Sequence, residues 1–335
     1  MAEGEDRRRH PQNLQGVLRL AVEAGSASDG QPAPEPMSQE RSKWLREALS
    51  EACKGQMDEV EQMKQCLAIL CGEASPEQEQ GRDGEDADEE EDEEKHSALE
   101  LLSDLCENLD NARDLMKLGG LDVCMSSCLC HFQSGVRWRT AQLIASCAQN
   151  MPEVQCYLLN MGALKTLLQL TDSDSNPTVR VKALYAVSCL VREQEVALQD
   201  FLSLDGFSVL MRAMQSECEK LRMKSAFLLL NLLTAHPEHR ESVISMGMVQ
   251  QLVAVLRTPH SSVHEHVLGA LCCLAQERSG VQDCRSSSLC LEELLTQRVQ
   301  ELHNREECQE EVEFCEQLRS ICFEGQPVDD CVMDR

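Results

Sequence analysis

Aromatic side chains are scarce in this 335-residue chain: two Trp, two Tyr and six Phe, 3% of the residues. Sheets draw on aromatic and β-branched residues, so an all-β fold is disfavoured, while abundant Leu, Ala, Met and Cys suit helix-on-helix packing. Positive charge is scarce as well, with 31 Lys and Arg against 58 Asp and Glu, a formal net charge of −27. A protein that coats nucleic acid or an anionic membrane with its whole surface is thereby excluded, and any basic site must be local. No apolar run approaches the ~20 residues a membrane span needs. Arg7, Arg8 and Arg9 are followed by polar residues instead of the apolar stretch of a signal peptide. A soluble, cytoplasmic chain is expected. Phosphate loops, Gly-x-Ser-x-Gly elbows and dinucleotide fingerprints are missing too, so neither an enzyme nor a cofactor is expected.

Cysteine, in contrast, is plentiful, with 19 residues. In a long chain without an export signal these read as reduced thiols, and Cys106, Cys147, Cys189 and Cys273 fall where a helix packs a small apolar residue. Three clusters invite a metal and lack its spacing. Asp172, Asp174 and Asn176 open like a calcium loop, but Pro177 stands where the loop needs Gly and Ala183 where it needs Glu. Cys124, Cys128, Cys130 and His131 fit no paired zinc knuckle. His260, His264 and His266 lack the His-Glu-x-x-His register and read as solvated or partner-facing. No metal is expected.

Composition shifts divide the chain. Residues 1–36 mix Gly, Ser, Pro and charge around one amphipathic piece carrying Leu14, Val17, Leu18 and Leu20, and are expected to be disordered outside it. Residues 37–71 read as a helical hairpin cap: Trp44, Leu45, Ala48, Leu49 and Ala52 form one stripe, and Val60, Met63, Leu67 and Leu70 a second. Residues 72–95 hold 13 acidic residues, a block expected to repel itself into an extended linker.

Residues 96–304 contain an internal repeat. Val136-Arg-Trp-Arg139, Val179-Arg-Val-Lys182, Leu221-Arg-Met-Lys224 and Val263-His-Glu-His266 recur at spacings of 43, 42 and 42. Leu118-Gly-Gly120, Asn160-Met-Gly162, Leu204-Asp-Gly206 and Ser245-Met-Gly247 keep the same period, the glycine marking a tight corner between two short helices. Periods near 42 are those of armadillo and HEAT repeats, and a short, a second and a longer third helix is the armadillo order. The expected fold is all-α: an armadillo-like right-handed helical solenoid with helical caps at both ends, the second formed by residues 305–335 with an acidic tail.

The third-helix segments 136–149, 178–192 and 220–235 carry eight cations, Arg137, Arg139, Arg180, Lys182, Arg192, Lys220, Arg222 and Lys224, and no acid. Most fall in a first helical turn, where the dipole disfavours a cation by a few tenths of a kcal/mol. Third helices of armadillo arrays line the concave face, so this phase makes a ladder there. Two readings stand: a solvated face neutralised by adjacent repeats, or a groove for an acidic protein surface. Trp138 lies inside the ladder, as a contact anchor or as inter-repeat packing.

Leu105-Cys-Glu-Asn-Leu-Asp-Asn-Ala112, Val179 to Glu193, Asp205 to Met214, Lys224 to Asn231 and His264 to Leu271 resemble the cytosolic heat-shock-70-binding, armadillo-type nucleotide exchange factors of animals and yeast. The resemblance runs from about Asn13 to the C-terminus. It implies a co-chaperone whose concave face grips one lobe of the ATPase domain of the 70-kDa heat-shock chaperone, so that ADP escapes. It implies contacts by Asp110, Asn111 and Ala112 and by the basic residues Arg139, Arg180, Lys182, Arg222 and Lys224, beside which the residue pattern adds Trp138. The segment around Leu14, Val17, Leu18 and Leu20 would compete for the chaperone's substrate domain. A monomer is expected, with no nucleic acid or membrane partner. The rival is an adaptor whose basic groove holds an extended acidic peptide; a receptor for basic nuclear signals would need an acidic groove.

Overall fold

The period is set by one backbone event, a residue in the left-handed region at the corner between a first and a second helix. Gly119, Gly162, Asp205, Gly247 and Cys290 occupy it, with φ of 78°, 77°, 60°, 80° and 42°. In the third repeat the corner is thus Asp205, one residue before the glycine the sequence singled out. Gly206 has a different reason to lack a side chain: a Cβ there would lie 2.4 Å from ring carbons of Phe201.

The structure is a computed structural model that describes residue 43 and residues 59–72, 85–192 and 194–324. It divides into units 1–61 and 62–335; of the first, only Lys43 and the start of helix α1 (Glu59–Leu70) are described. Among the described residues there is no strand, and no helix is long and apolar enough to cross a membrane. Residues 1–36 with Leu14, Val17, Leu18 and Leu20, the first helix of the expected hairpin and the acidic tail lie outside the described residues. The hairpin's second helix is α1, which buries Met63, Cys66, Leu67 and Leu70.

Helix α2 (Glu85–Leu105) corrects the expectation of an extended acidic linker through residue 95. Its acids cluster toward the N-terminus, where the dipole favours them, and Glu91 pairs with Lys95 at 2.7 Å one turn on. The repeats follow. The first holds α3 (Leu109–Lys117), α4 (Gly120–Val123, continued by a π-turn over Cys124–Cys128) and α5 (Ser134–Ala148). The second holds α6 (Pro152–Asn160), α7 (Ala163–Ser173) and α8 (Pro177–Val191); the third α9 (Glu195–Ser203), α10 (Gly206–Met214) and α11 (Glu219–Ala235). The fourth holds α12 (Arg240–Ser245), α13 (Met248–Leu256) and α14 (Val263–Leu274).

A fifth repeat completes the array: α15 (Arg278–Cys284), α16 (Leu291–Leu302) and α17 (Gln309–Arg319). The C-terminal helix expected as an appended cap is therefore this repeat's third helix, packed on α14 as α14 packs on α11. Helices α2, α5, α8, α11, α14 and α17 stack in that order. Their shared interior explains why α8 is apolar nearly all round, burying Val179, Val181, Ala183, Leu184, Ala186, Val187, Cys189, Leu190 and Val191. Cys106, Cys147, Cys189 and Cys273 are at most 9% exposed, as small core residues. The result is an all-α armadillo-like solenoid.

Side-chain caps fix two of the starts. Asn176 Oδ1 accepts from the Thr178 and Val179 amides at 2.8 and 3.4 Å, ahead of Pro177 at the first helical position. Asn108 caps α3 likewise, accepting from Asp110 N at 3.1 Å.

Candidate partner-binding face

Two cation registers run across the third helices, two residues apart, and the structure gives them different tasks. In the first, Arg137 donates to the carbonyls of His131 and Phe132, Arg180 to Thr171 and Arg222 to Ser216 and Glu217. His264 holds the same place in the fourth repeat, 3.1 Å from the Val255 carbonyl. Each satisfies open carbonyls in the last turn of the preceding second helix or in the loop just beyond it. This accounts for cations in a first helical turn: the loss to their own helix dipole is offset at the end of another. Arg180 and Arg222, expected as partner contacts, thus have a further task as clamps on the preceding turn, each through one nitrogen of a half-buried guanidinium. Arg137 also forms a two-pronged ion pair with Asp174, at 2.8 and 3.0 Å.

The second register is Arg139, Lys182, Lys224 and His266, and it faces outward over aromatic rings. The Arg139 guanidinium lies 4.2 Å from the Trp138 ring centroid, and Lys182 Nζ approaches the same ring to 5.9 Å. Lys224 Nζ is 5.1 Å from the Tyr185 centroid, and the His266 and Phe227 centroids are 5.3 Å apart. Cation and ring alternate because Tyr185 and Phe227 stand three residues beyond Lys182 and Lys224, on the same helical face. Phe227 is 44% exposed.

A hollow of about 460 Å³ opens between α8 and α11, lined by Gln142, Lys182, Tyr185, Lys220, Met223 and Lys224. Lys182 donates to Gln142 Oε1 at 2.7 Å, a neutral acceptor. Burial, then the neighbouring Lys224 and Lys220, hold its pKa below the ordinary lysine value. Among the described residues none of these three lysines forms an ion pair, whereas Arg139 pairs with Glu100 at 2.7 Å. Gln142, Tyr185, Met223 and Phe227 were not singled out from the sequence as contacts, whereas Lys220 belonged to the expected ladder and His266 to the histidines read as solvated or partner-facing. The repeat phase holds the signal for three of them, since Gln142, Tyr185 and Phe227 recur at the same period as the cations.

Asp110, Asn111 and Ala112 lie in α3, at the start of the first repeat. Asn111 is 7% exposed and Ala112 0%. Asn111 Nδ2 donates to the Leu105 carbonyl at 2.9 Å, closing the end of α2. Gln155 does the same for Ala148 and Cys189, and Arg240 for Leu233. Asn111 and Ala112 are therefore corrected to interior residues. Asp110 is exposed and pairs with Arg113, which also reaches Glu153.

The metal-like clusters have internal partners. Asp172 pairs with Arg212, Asp174 with Arg137, and Asn176 caps α8. Cys124 and Cys128 are buried while Cys130 is exposed. His260, His264 and Glu311 do gather, with ligand atoms within 4.8 Å of one another. Arg298 occupies the middle, Nη1 lying 2.7 Å from His264 Nδ1 and 2.8 Å from Glu311 Oε1. A guanidinium at that point repels a cation and already satisfies both ligands. His264, 0% exposed, is thus an interior residue rather than a solvated one. Its Nε2 donates to Val255 and its Nδ1 accepts from Arg298, the neutral tautomer; burial and then the Arg298 charge push its pKa down to about 4.

Comparison with known proteins fits this geometry. The pattern of the SIL1/FES1/HPBP1 C-terminal domain matches residues 111–236, and that of the nucleotide exchange factor Fes1 matches residues 14–115. Hsp70-binding protein 1 of Mus musculus is 55% identical over 328 residues, 98% of this chain and 90% of that protein. The chain belongs to the SIL1/FES1/HPBP1 family. The human Hsp70-binding protein 1 is 54% identical over 98% of this chain and 89% of its own length. The Hsp70 nucleotide exchange factor FES1 of Mycosarcoma maydis is 30% identical over 44% of this chain and 37% of its own. Among solved structures a designed armadillo repeat protein superposes with a TM-score of 0.58 at 19% identity, over 78% of this chain and 99% of that one, a likeness of fold.

Proposed function

We propose that this chain is a nucleotide exchange factor of the 70-kDa heat-shock chaperone, binding its ATPase domain through the face built by α5, α8 and α11. The observation that carries this reading is the lysine trio around the hollow. In a chain of net charge −27, Lys182, Lys220 and Lys224 crowd one another without a carboxylate partner among the described residues. Like charges held together are relieved by an acidic surface, and Trp138, Tyr185 and Phe227 beside them supply the apolar area that holds it. The family relationship names that surface's owner: relatives 54–55% identical over nearly the whole chain are Hsp70-binding proteins.

The chain performs no chemistry in this role. A curved array matched to one lobe of the ATPase domain excludes the other lobe sterically, so the nucleotide between them loses its contacts and ADP leaves. Release of labelled ADP from the purified chaperone is the test. Added chain should accelerate it severalfold, and reversing Lys182 and Lys224 to Glu should abolish the acceleration. Binding without acceleration would favour the acidic-peptide adaptor.

A further inference from the structure

Of the ten prolines, two follow a hydroxyl residue, Pro76 after Ser75 and Pro259 after Thr258. Thr258 is exposed, in the irregular segment 257–262 that joins α13 to α14. We propose that Thr258 is a phosphorylation site for a proline-directed serine/threonine kinase, placed so that the phosphate enters the edge of the basic face.

The segment suits an enzyme's cleft. Pro259 has no N–H, and the amides of His260, Ser261 and Ser262 donate to no backbone group among the described residues. Docking of this stretch along a kinase therefore breaks no ladder of the fold. The Thr258 hydroxyl donates to the Val255 carbonyl at 2.7 Å and its oxygen lies 3.3 Å from His264 Nε2, so the side chain must turn outward from the end of α13 to meet a kinase, water replacing both contacts. In the transfer, the Thr258 oxygen bonds to the γ-phosphorus of ATP as the bond from that phosphorus to the β-bridging oxygen breaks. The hydroxyl proton goes to the kinase's base, and ADP leaves.

A receiving site already exists. Thr258, Arg222 and His260 line one hollow of about 700 Å³ between the third and fourth repeats. Arg222 uses only Nη1 on the Ser216 and Glu217 carbonyls, which leaves its other N–H groups for an anion in that hollow. Glu217 and Glu219 line the same hollow and oppose the new charge, which favours the Arg222 side. Two residues beyond Arg222 stands Lys224, in the outward register. The added charge, −1.5 to −2 at neutral pH, therefore weakens the attraction for an acidic partner. This consequence rests on the proposed chaperone interaction; the modification itself does not.

The test uses the full chain carrying Ser75→Ala, a recombinant proline-directed kinase and magnesium ATP, read by intact mass and peptide mapping. One phosphate on Thr258 is expected. It should survive Thr258→Ser at the same position and vanish in Pro259→Ala, which keeps the hydroxyl but removes the recognition element. Failure of the folded chain to incorporate phosphate, under conditions that modify a peptide spanning residues 252–264, overturns the site. The modified chain should bind the ATPase domain roughly two- to tenfold more weakly at low salt, the difference shrinking as salt rises. Unchanged affinity overturns the regulatory consequence. An unmodified chain that fails to bind at all counts against the proposed function and leaves the incorporation result standing.

Discussion

Arg222 and Lys224 stand two residues apart on α11, and only their hydrogen-bond partners tell them apart. Arg222 closes the carbonyls of Ser216 and Glu217, so Arg222→Ala should destabilise the chain by about 1–2 kcal/mol in urea unfolding. Lys224 lies over a ring and forms no ion pair among the described residues. The double reversal Lys182→Glu and Lys224→Glu should leave the unfolding midpoint within about 0.5 kcal/mol of the parent while weakening chaperone binding at least about tenfold and flattening its salt dependence. Equal stability losses for both registers would refute the division. The sequence shows a run of cations at one phase. It does not show which of them face carbonyls, because that depends on where the loop before each third helix ends.

Periodicity made the elements legible, and the places where it failed have physical reasons. Four corners were visible because glycine marks them, although Asp205 shifts one by a residue and Cys290 hides the fifth. The fifth repeat also lacks the Val-Arg landmark, so its third helix read as a separate cap. Helix α2 was missed because thirteen acids in a block suggest repulsion, which the helix N-terminus offsets. The two kinds of corner glycine should separate on substitution. Gly162→Ala meets nothing within 4 Å and should cost about 1–2 kcal/mol of backbone strain, relieved by Asn. Gly206→Ala drives a methyl into the buried Phe201 ring and should cost about 1–3 kcal/mol, relieved instead by Phe201→Leu. The junction of the fourth and fifth repeats should be acid-sensitive through His264. Its pKa of about 4 lies below the unfolded value of 6.5, so between those pH values the unfolded chain binds one proton more. Stability should therefore fall as pH drops from 6.5 toward 4, by up to about 3 kcal/mol, and His264→Gln, which keeps a donor for the Val255 carbonyl, should flatten that slope in urea titrations.

At the scale of the molecule, a stacked array holds its face rigid along its whole length. Helix α2 and the third helices α5, α8, α11, α14 and α17 pack in one continuous series, so the face they present is held by the core and not by loops. Such a surface is suited to selecting one arrangement of a two-lobed partner over another, and selection of that kind is governed by linkage. If the chain lowers the chaperone's affinity for ADP by some factor, ADP must lower the chaperone's affinity for the chain by the same factor. Removing residues 1–36 leaves the lysine trio and its rings untouched, so that factor should be unchanged in the shortened chain, whereas release of a bound client peptide should slow. Two equilibrium titrations suffice, one of ADP into the ATPase domain with and without the chain, the other of the chain with and without ADP. The Lys182→Glu, Lys224→Glu variant should bind weakly in both states and pull the two factors toward one together. A chain affinity indifferent to nucleotide would mean that the basic face holds the chaperone without displacing a lobe, and lobe displacement would then be abandoned.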